Sequence, residues 1–294
     1  MANSLEKSGI SMNSPEEINA FKPGKKFFIG IDSDGTAFDS MNIKHINSML
    51  PAAIEVWNIE KGRAEFESGW KQLNLYSMSR GINRFPGLLH MLEQLHSIND
   101  NAFTIDLDPL RNFIEHGESL SNASLQAWIN EHPDPLLDDV MRWSKKSDEL
   151  FEEHTKGLLP FANVEAALAL MAGQADIMVV SSAAGKGLDK DWSFSGLNRY
   201  VTLLAGQEIG SKKNQLQKAA AGKYAPHAIL MIGDAPGDLE AARFVNALFF
   251  PVIPGKEEES WIQLREQSLF RFFNGTYQGA YEEQLIEKFL NCLK

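Results

Sequence analysis

Apolar and polar positions along this chain alternate between two rhythms. Short apolar runs of strand length lie at residues 27–31, 177–180, 200–204, 228–232 and 247–252. Three segments with apolar residues every third or fourth position lie among the later runs, at 161–171, 212–221 and 238–244, and predict helices. Strands alternating with helices predict an α/β, Rossmann-like parallel sheet with helices on both faces.

The rhythm breaks after the first run. Residues 41–157 hold no clear strand, only amphipathic stretches at 45–57, 60–78 and 85–96, with a polar, proline-containing break at 130–135 before the next helix. Three regions are therefore expected: a flexible tail over 1–24 or a short peripheral helix in it, an α/β core from 25–40 and 158–294, and an α-helical domain over 41–157. The aromatic-rich end, with Trp261, Phe270, Phe272, Phe273 and Tyr277, is expected to pack on the core.

Composition narrows the partners. With 294 residues the chain can bury a large core, and 28 basic against 39 acidic residues give a formal charge of −11. That balance disfavours nucleic acid and anionic membranes, whose affinity is supplied by positive charge. The opening segment has no apolar h-region and no stretch reaches membrane-span length, so no membrane partner is expected. A single cysteine, Cys292, excludes an intramolecular disulfide and fits a reducing cytoplasm.

In parallel sheets, ligands sit beyond the carboxyl ends of the strands. The polar residues that close the runs are therefore the candidate site. The first run ends in Asp32-Ser33-Asp34-Gly35-Thr36, where a period of two would point both acids the same way and imply a cation or a shared proton. The second ends in Ser181-Ser182, either of which could cap the following turn. Gly233-Asp234 closes the fourth and continues to Asp238, which is equally placed to cap a helix. Lys212 and Lys213 open a helix between the third and fourth runs, and either one can reach the same mouth.

Taken in order, Asp32-Ser33-Asp34-Gly35-Thr36, Ser181, Lys212 and Gly233-Asp234 with Asp238 resemble the four motifs of the haloacid dehalogenase (HAD) superfamily, over roughly residues 25–40 and 158–255. The resemblance implies a HAD-like core with residues 41–157 as its cap. It implies Asp32 as nucleophile, Asp34 as general acid and base, Ser181 and Lys212 as phosphoryl-binding groups, and Mg²⁺ held by Asp32, Asp34 (through its backbone carbonyl) and Asp234. Asp238 would orient the metal shell or Lys212. Ser33 departs from the apolar residue usual there, which puts packing in doubt rather than chemistry. An acid at position 34 points to phosphate esters rather than to dehalogenation.

The function implied is a Mg²⁺-dependent phosphatase of a small phosphorylated metabolite, acting through an aspartyl-phosphate. A sugar-phosphate mutase is the alternative, and an idle binding protein a third reading. The mutase would need a second phosphate grip, for which Arg80 and Arg84 are candidates if they share a helix face; otherwise they are solvated arginines. Trp57, Trp70, Trp128 and Trp143 read as helix-packing residues, His45 as incidental or a hydroxyl partner, and Glu152-Glu153-His154 as a solvated hinge.

Overall fold

The computed structural model describes residues 12–98 and 105–294. The chain forms two compact units that divide at Asp39/Ser40 and Lys156/Gly157.

The first unit is built on five parallel strands, β1 (Phe27–Ile31), β2 (Ala175–Val180), β3 (Leu203–Ala205), β4 (Ile229–Gly233) and β5 (Leu248–Pro251), in the order β3-β2-β1-β4-β5. The chain leaves β1 toward β2 and β3 on one side, then returns to pair β4 on the other, which makes β1 the switch point. Crevices at such points open beyond the carboxyl ends of the flanking strands.

Every residue of the five strands is buried, as expected of a sheet covered on both faces. Alternation sorts their side chains. Phe27, Ile29 and Ile31 join Val164, Leu168 and Met171 of the helix Val164–Ala172 on one face. Phe28 faces the other way, among Leu216 and Ala219 of the helix Lys212–Ala219, and Leu239 and Ala242 of the helix Pro236–Phe244. The aromatic C-terminal stretch completes the first face through Trp261, Phe272 and Tyr277, while Phe270 stays exposed.

Two expectations shift, and a third, open between a flexible tail and a short helix, resolves to the helix among the described residues. The third strand starts at Leu203 rather than Tyr200, because residues Leu197–Tyr200 form a 3₁₀ turn that delays the extended segment. The helix expected from Phe161 begins at Val164, after a left-handed Asn163, and Pro160 instead bridges Phe38. The N-terminal segment is a packed element from Asn13 onward: Ser14 and Glu17 cap the helix Pro15–Ala20 reciprocally, and Ile18 is fully buried on the Phe28 face. Buried Asp176 clamps the approach to β1 by accepting from the Gly24 and Lys25 amides and the Tyr224 hydroxyl. Residues 1–11 of the expected tail lie outside the described residues.

Among its described residues the second unit, Ser40–Lys156, is built of helices joined by turns. A continuous helix over residues 40–56, widened to π geometry at Ile43–Met49, is followed by helices Arg63–Leu75, Arg84–Ile98, Asp108–His116, Asn122–Glu131 and Pro135–His154. Phe66, Trp70, Phe85, Phe113 and Trp143 fill its core. Among the described residues no helix is long and apolar enough to cross a membrane.

Candidate active site

The site grows from the end of β1. The Asp32 amide donates to Ile232 O at 2.9 Å, extending the β1–β4 ladder by one residue and holding Asp32 on the same face as Phe28 and the helix Lys212–Ala219. The strand ends there: Ser33 O accepts from both the Ala37 and Phe38 amides, and the chain turns. The period of two therefore does not carry on to Asp34.

Asp32, Asp234 and Asp238 bring carboxylate oxygens within 4.8 Å of one another, all buried. Asp34 is not one of the three. Its half-buried side chain lies near enough to Asp191 of the helix Gly185–Phe194 to raise the proton affinity of that acid.

Lys212 lies between two of these acids. Its Nζ is 2.8 Å from Asp32 Oδ1 and 2.6 Å from Asp238 Oδ1. Lys213 pairs instead with exposed Glu240, so Lys212 is the lysine at the mouth. Asp238 combines both roles open to it in sequence. Its Oδ1 holds Lys212, and its Oδ2 accepts from the Asp234 and Ala235 amides, capping the helix Pro236–Phe244. Gly233 is required for this arrangement, since a Cβ there would come within 2.4 Å of the Asp238 carboxyl.

Three carboxylates face one ammonium in a dry setting, and the proton affinities reflect it. Burial raises Asp32 well above the usual carboxylate range; Lys212 opposes this, while Asp238 and Asp234 add to it. Asp238 rises chiefly through burial as well, with Lys212 opposing and Asp234 adding. Burial pulls the Lys212 ammonium down, but Asp238 and Asp32 outweigh it and hold it above the ordinary lysine value. Lys212 stays charged, and the acids outnumber it three to one.

That surplus fits a divalent cation. Asp238 has both oxygens committed, leaving Asp32 and Asp234 as the carboxylates able to ligate, and Mg²⁺ takes one or two carboxylates plus waters and phosphate. Asp234 is oriented for the task by the buried Thr36 hydroxyl, which donates to its Oδ1 at 2.6 Å.

Ser181, at the end of β2, is buried, and its Oγ accepts from the Ala183 amide at 3.1 Å, which leaves its hydroxyl proton to donate; Ser182 is exposed. Ser33 is buried too, and its hydroxyl accepts from Trp192 Nε1 at 3.0 Å, so its departure from an apolar residue is matched by a polar partner.

Arg80 and Arg84 do not share a helix. Arg80 lies in the turn after the helix Arg63–Leu75, buried, with Nη1 donating to Leu75 O; Arg84 opens the next helix and binds Ser144 Oγ and Asp148. Gly81 and the two non-helical residues after it separate them. Trp57, Trp70 and Trp143 are core residues of the helical unit and Trp128 packs against that core. His45 is buried beside Trp70 with Nδ1 unpaired, and burial, followed by Lys44, Arg80 and Arg84, keeps it neutral. His154 is exposed at a helix end, bonded to Leu150 O.

No family model matches the chain, and no curated protein does. Solved structures do match. They include a predicted phosphoglycolate phosphatase from Haemophilus somnus (15% identity, 78% of this chain and 86% of that one, TM-score 0.48). A haloacid dehalogenase-like family hydrolase from Streptococcus pneumoniae gives 12% identity, 82% and 91% coverage and a TM-score of 0.46. A defluorinating L-2-haloacid dehalogenase gives 16%, 78%, 83% and 0.37. HAD-superfamily structures are what this chain is similar to. At these identities and scores the likeness decides no residue's role, and the site rests on its own geometry.

Sequence reasoning missed Thr36, Asp191 and Gln215. Thr36 stood in the first motif, and its adjacency to the acids was the available signal. Asp191 and Gln215 carried none, since each lies inside a helix, away from the strand ends that mark the other candidates in sequence.

Proposed function

We propose that this chain is a HAD-type phosphohydrolase that cleaves a small phosphate monoester through an aspartyl-phosphate on Asp32. The observation that carries this reading is the buried Lys212 ammonium bridging Asp32 and Asp238, with Asp234 alongside. A carboxylate gripped by a charged lysine in a dry pocket suits attack on a dianionic phosphoryl group, whose transfer is stabilised chiefly by positioning and electrostatics.

An Asp32 carboxylate oxygen forms a bond to phosphorus as the ester P–O bond breaks, and the departing oxygen takes a proton from Asp34. Water then attacks the same phosphorus, giving its proton to Asp34 and releasing Asp32 with inorganic phosphate. Ser181 donates to a phosphoryl oxygen, and Lys212 offsets charge on the phosphoryl group and on Asp32. Mg²⁺, held by Asp32 and Asp234 with the Asp34 carbonyl, would supply the charge that lets two anions approach. The helical unit is read as the cap that selects the leaving group. Arg84 is committed to Asp148 and Ser144, so it gives no support to the mutase alternative.

A panel of phosphorylated metabolites with Mg²⁺, read by phosphate release, tests this. Turnover is expected to cease on chelation, return with Mg²⁺, and fall by a factor on the order of 10⁴ or more in Asp32→Asn. Release unchanged by that substitution would overturn the reading.

A further inference from the structure

Gln215 is fully buried on the first turn of the helix Lys212–Ala219, three residues beyond Lys212. Its Nε2 donates to three carbonyls, Ser181 O at 2.8 Å, Gly206 O at 3.0 Å and Gly210 O at 2.9 Å. An amide nitrogen has two hydrogens, so one of them is shared. The three carbonyls belong to two different connections, the one after β2 and the one from β3 to this helix. Ser181 closes β2, Gly206 follows β3, and Gly210 immediately precedes Ser211, the residue that caps the helix carrying Lys212.

The orientation of this amide is fixed by chemistry. A flipped side chain would press its oxygen against three carbonyl oxygens. As oriented, Oε1 is buried and meets no donor.

The loops that Gln215 joins are already in close backbone contact. A Cβ at Gly206 would come within 2.8 Å of Ala183 O and 2.9 Å of the Gly185 amide nitrogen. The Gln207 amide donates to Ala183 O, and the Gln215 amide to Ser211 O. The Gln215 side chain therefore ties the main chain of Ser181 to the start of the helix from which Lys212 reaches Asp32.

We propose that Gln215 is a positioning residue of the phosphoryl site, setting the separation between the Ser181 hydroxyl and the Lys212 ammonium so that both meet one phosphoryl group. This rests on the phosphohydrolase reading of the site.

The test uses the full chain and two variants. Gln215→Met keeps length and bulk and removes both donors. Gln215→Asn keeps the donors on a shorter stem and serves where the Met variant gives no cooperative melt. Steady-state hydrolysis of para-nitrophenyl phosphate with Mg²⁺, inhibition by inorganic phosphate, and thermal melting are measured together. In the Met variant kcat is expected to fall about 10- to 100-fold, the range for displacing catalytic groups by about an ångström. The inhibition constant for phosphate is expected to rise about tenfold in a chain that still melts cooperatively. A smaller loss of kcat is expected for Gln215→Asn.

A lower melting temperature with parental kcat and parental phosphate inhibition would show a structural residue only, and would overturn the inference. A parent that hydrolyses no ester would instead refute the phosphohydrolase reading. Calorimetric titration with inorganic phosphate and Mg²⁺ then decides on Gln215: binding by the parent that weakens in Gln215→Met supports the inference, and equal affinity, or no binding by the parent, overturns it.

Discussion

In the α/β unit three buried carboxylates meet one buried ammonium, while in the helical unit the charged groups near the core are matched close to home. Arg84 binds Ser144 and Asp148, Asn122 joins the same Asp148, and Ser144 donates to Asn122. That network is balanced in charge and geometry. The cluster around Lys212 is not, because three acids share a single buried ammonium. Burying uncompensated charge is expensive, and folds carry it where chemistry uses it. The contrast locates the site in the α/β unit more firmly than any one motif residue does.

The largest effect should come from removing the one cation. Lys212→Met leaves the three buried acids without their ammonium, and a loss of about 3–5 kcal/mol is expected at pH 8. The loss should shrink at pH 5. Burial and mutual repulsion raise the proton affinity of Asp32 and Asp238 in the folded state, so the folded chain binds more protons than the unfolded one, and its stability falls as pH rises. Melting curves of parent and variant at the two pH values check both size and direction. A pH-independent loss would mean that the proton affinities of these acids are not raised by folding.

Removing a balanced pair should cost less. Arg84→Ala breaks its bonds to Asp148 and Ser144 at the edge of the helical core, and about 1 kcal/mol is expected, read as a lowered denaturation midpoint with an unchanged m value. A fall in phosphate release without a change in midpoint would instead give that arginine a part in turnover and narrow the difference between the units.

A third effect concerns an acid outside the cluster. Asp191 is pushed up to about 6, first by burial and then by Asp34, with Lys190 opposing. Its folded value exceeds its unfolded one, so its contribution is present below about pH 4 and is lost as pH rises through about 6. Asp191→Asn should therefore melt higher than the parent at pH 7.5 and equal to it at pH 4. Equal melting at both would show that folding does not raise the proton affinity of Asp191.

The sheet was legible in sequence because strands buried on both faces read as unbroken apolar runs, and four of the five lie within a residue or two of their expected positions. Asp32, Asp234, Ser181 and Lys212 were legible for a related reason: each directly closes a strand or opens a helix, and local pattern marks such boundaries. That Asp238 joins Asp32 and Asp234 was not, because it reaches them from the first turn of a helix rather than from a strand end. The arginines of the helical unit failed similarly, since Gly81 and the residues after it interrupt the turn they would have shared.

The sequence by itself determined the parallel α/β core, the helical insertion and which side chains arrive at the carboxyl edge of the sheet, because periodicity and strand ends are local properties of the chain. Tertiary structure alone decided that Asp238 rather than Asp34 completes the acid cluster, that Lys212 rather than Lys213 reaches it, and that Thr36 and Gln215 bond to its parts. Those choices depend on which strand ends lie side by side and which groups lose water together. Burial and neighbouring charge are properties of the folded chain, and they turn acids at the ends of separate strands into one site.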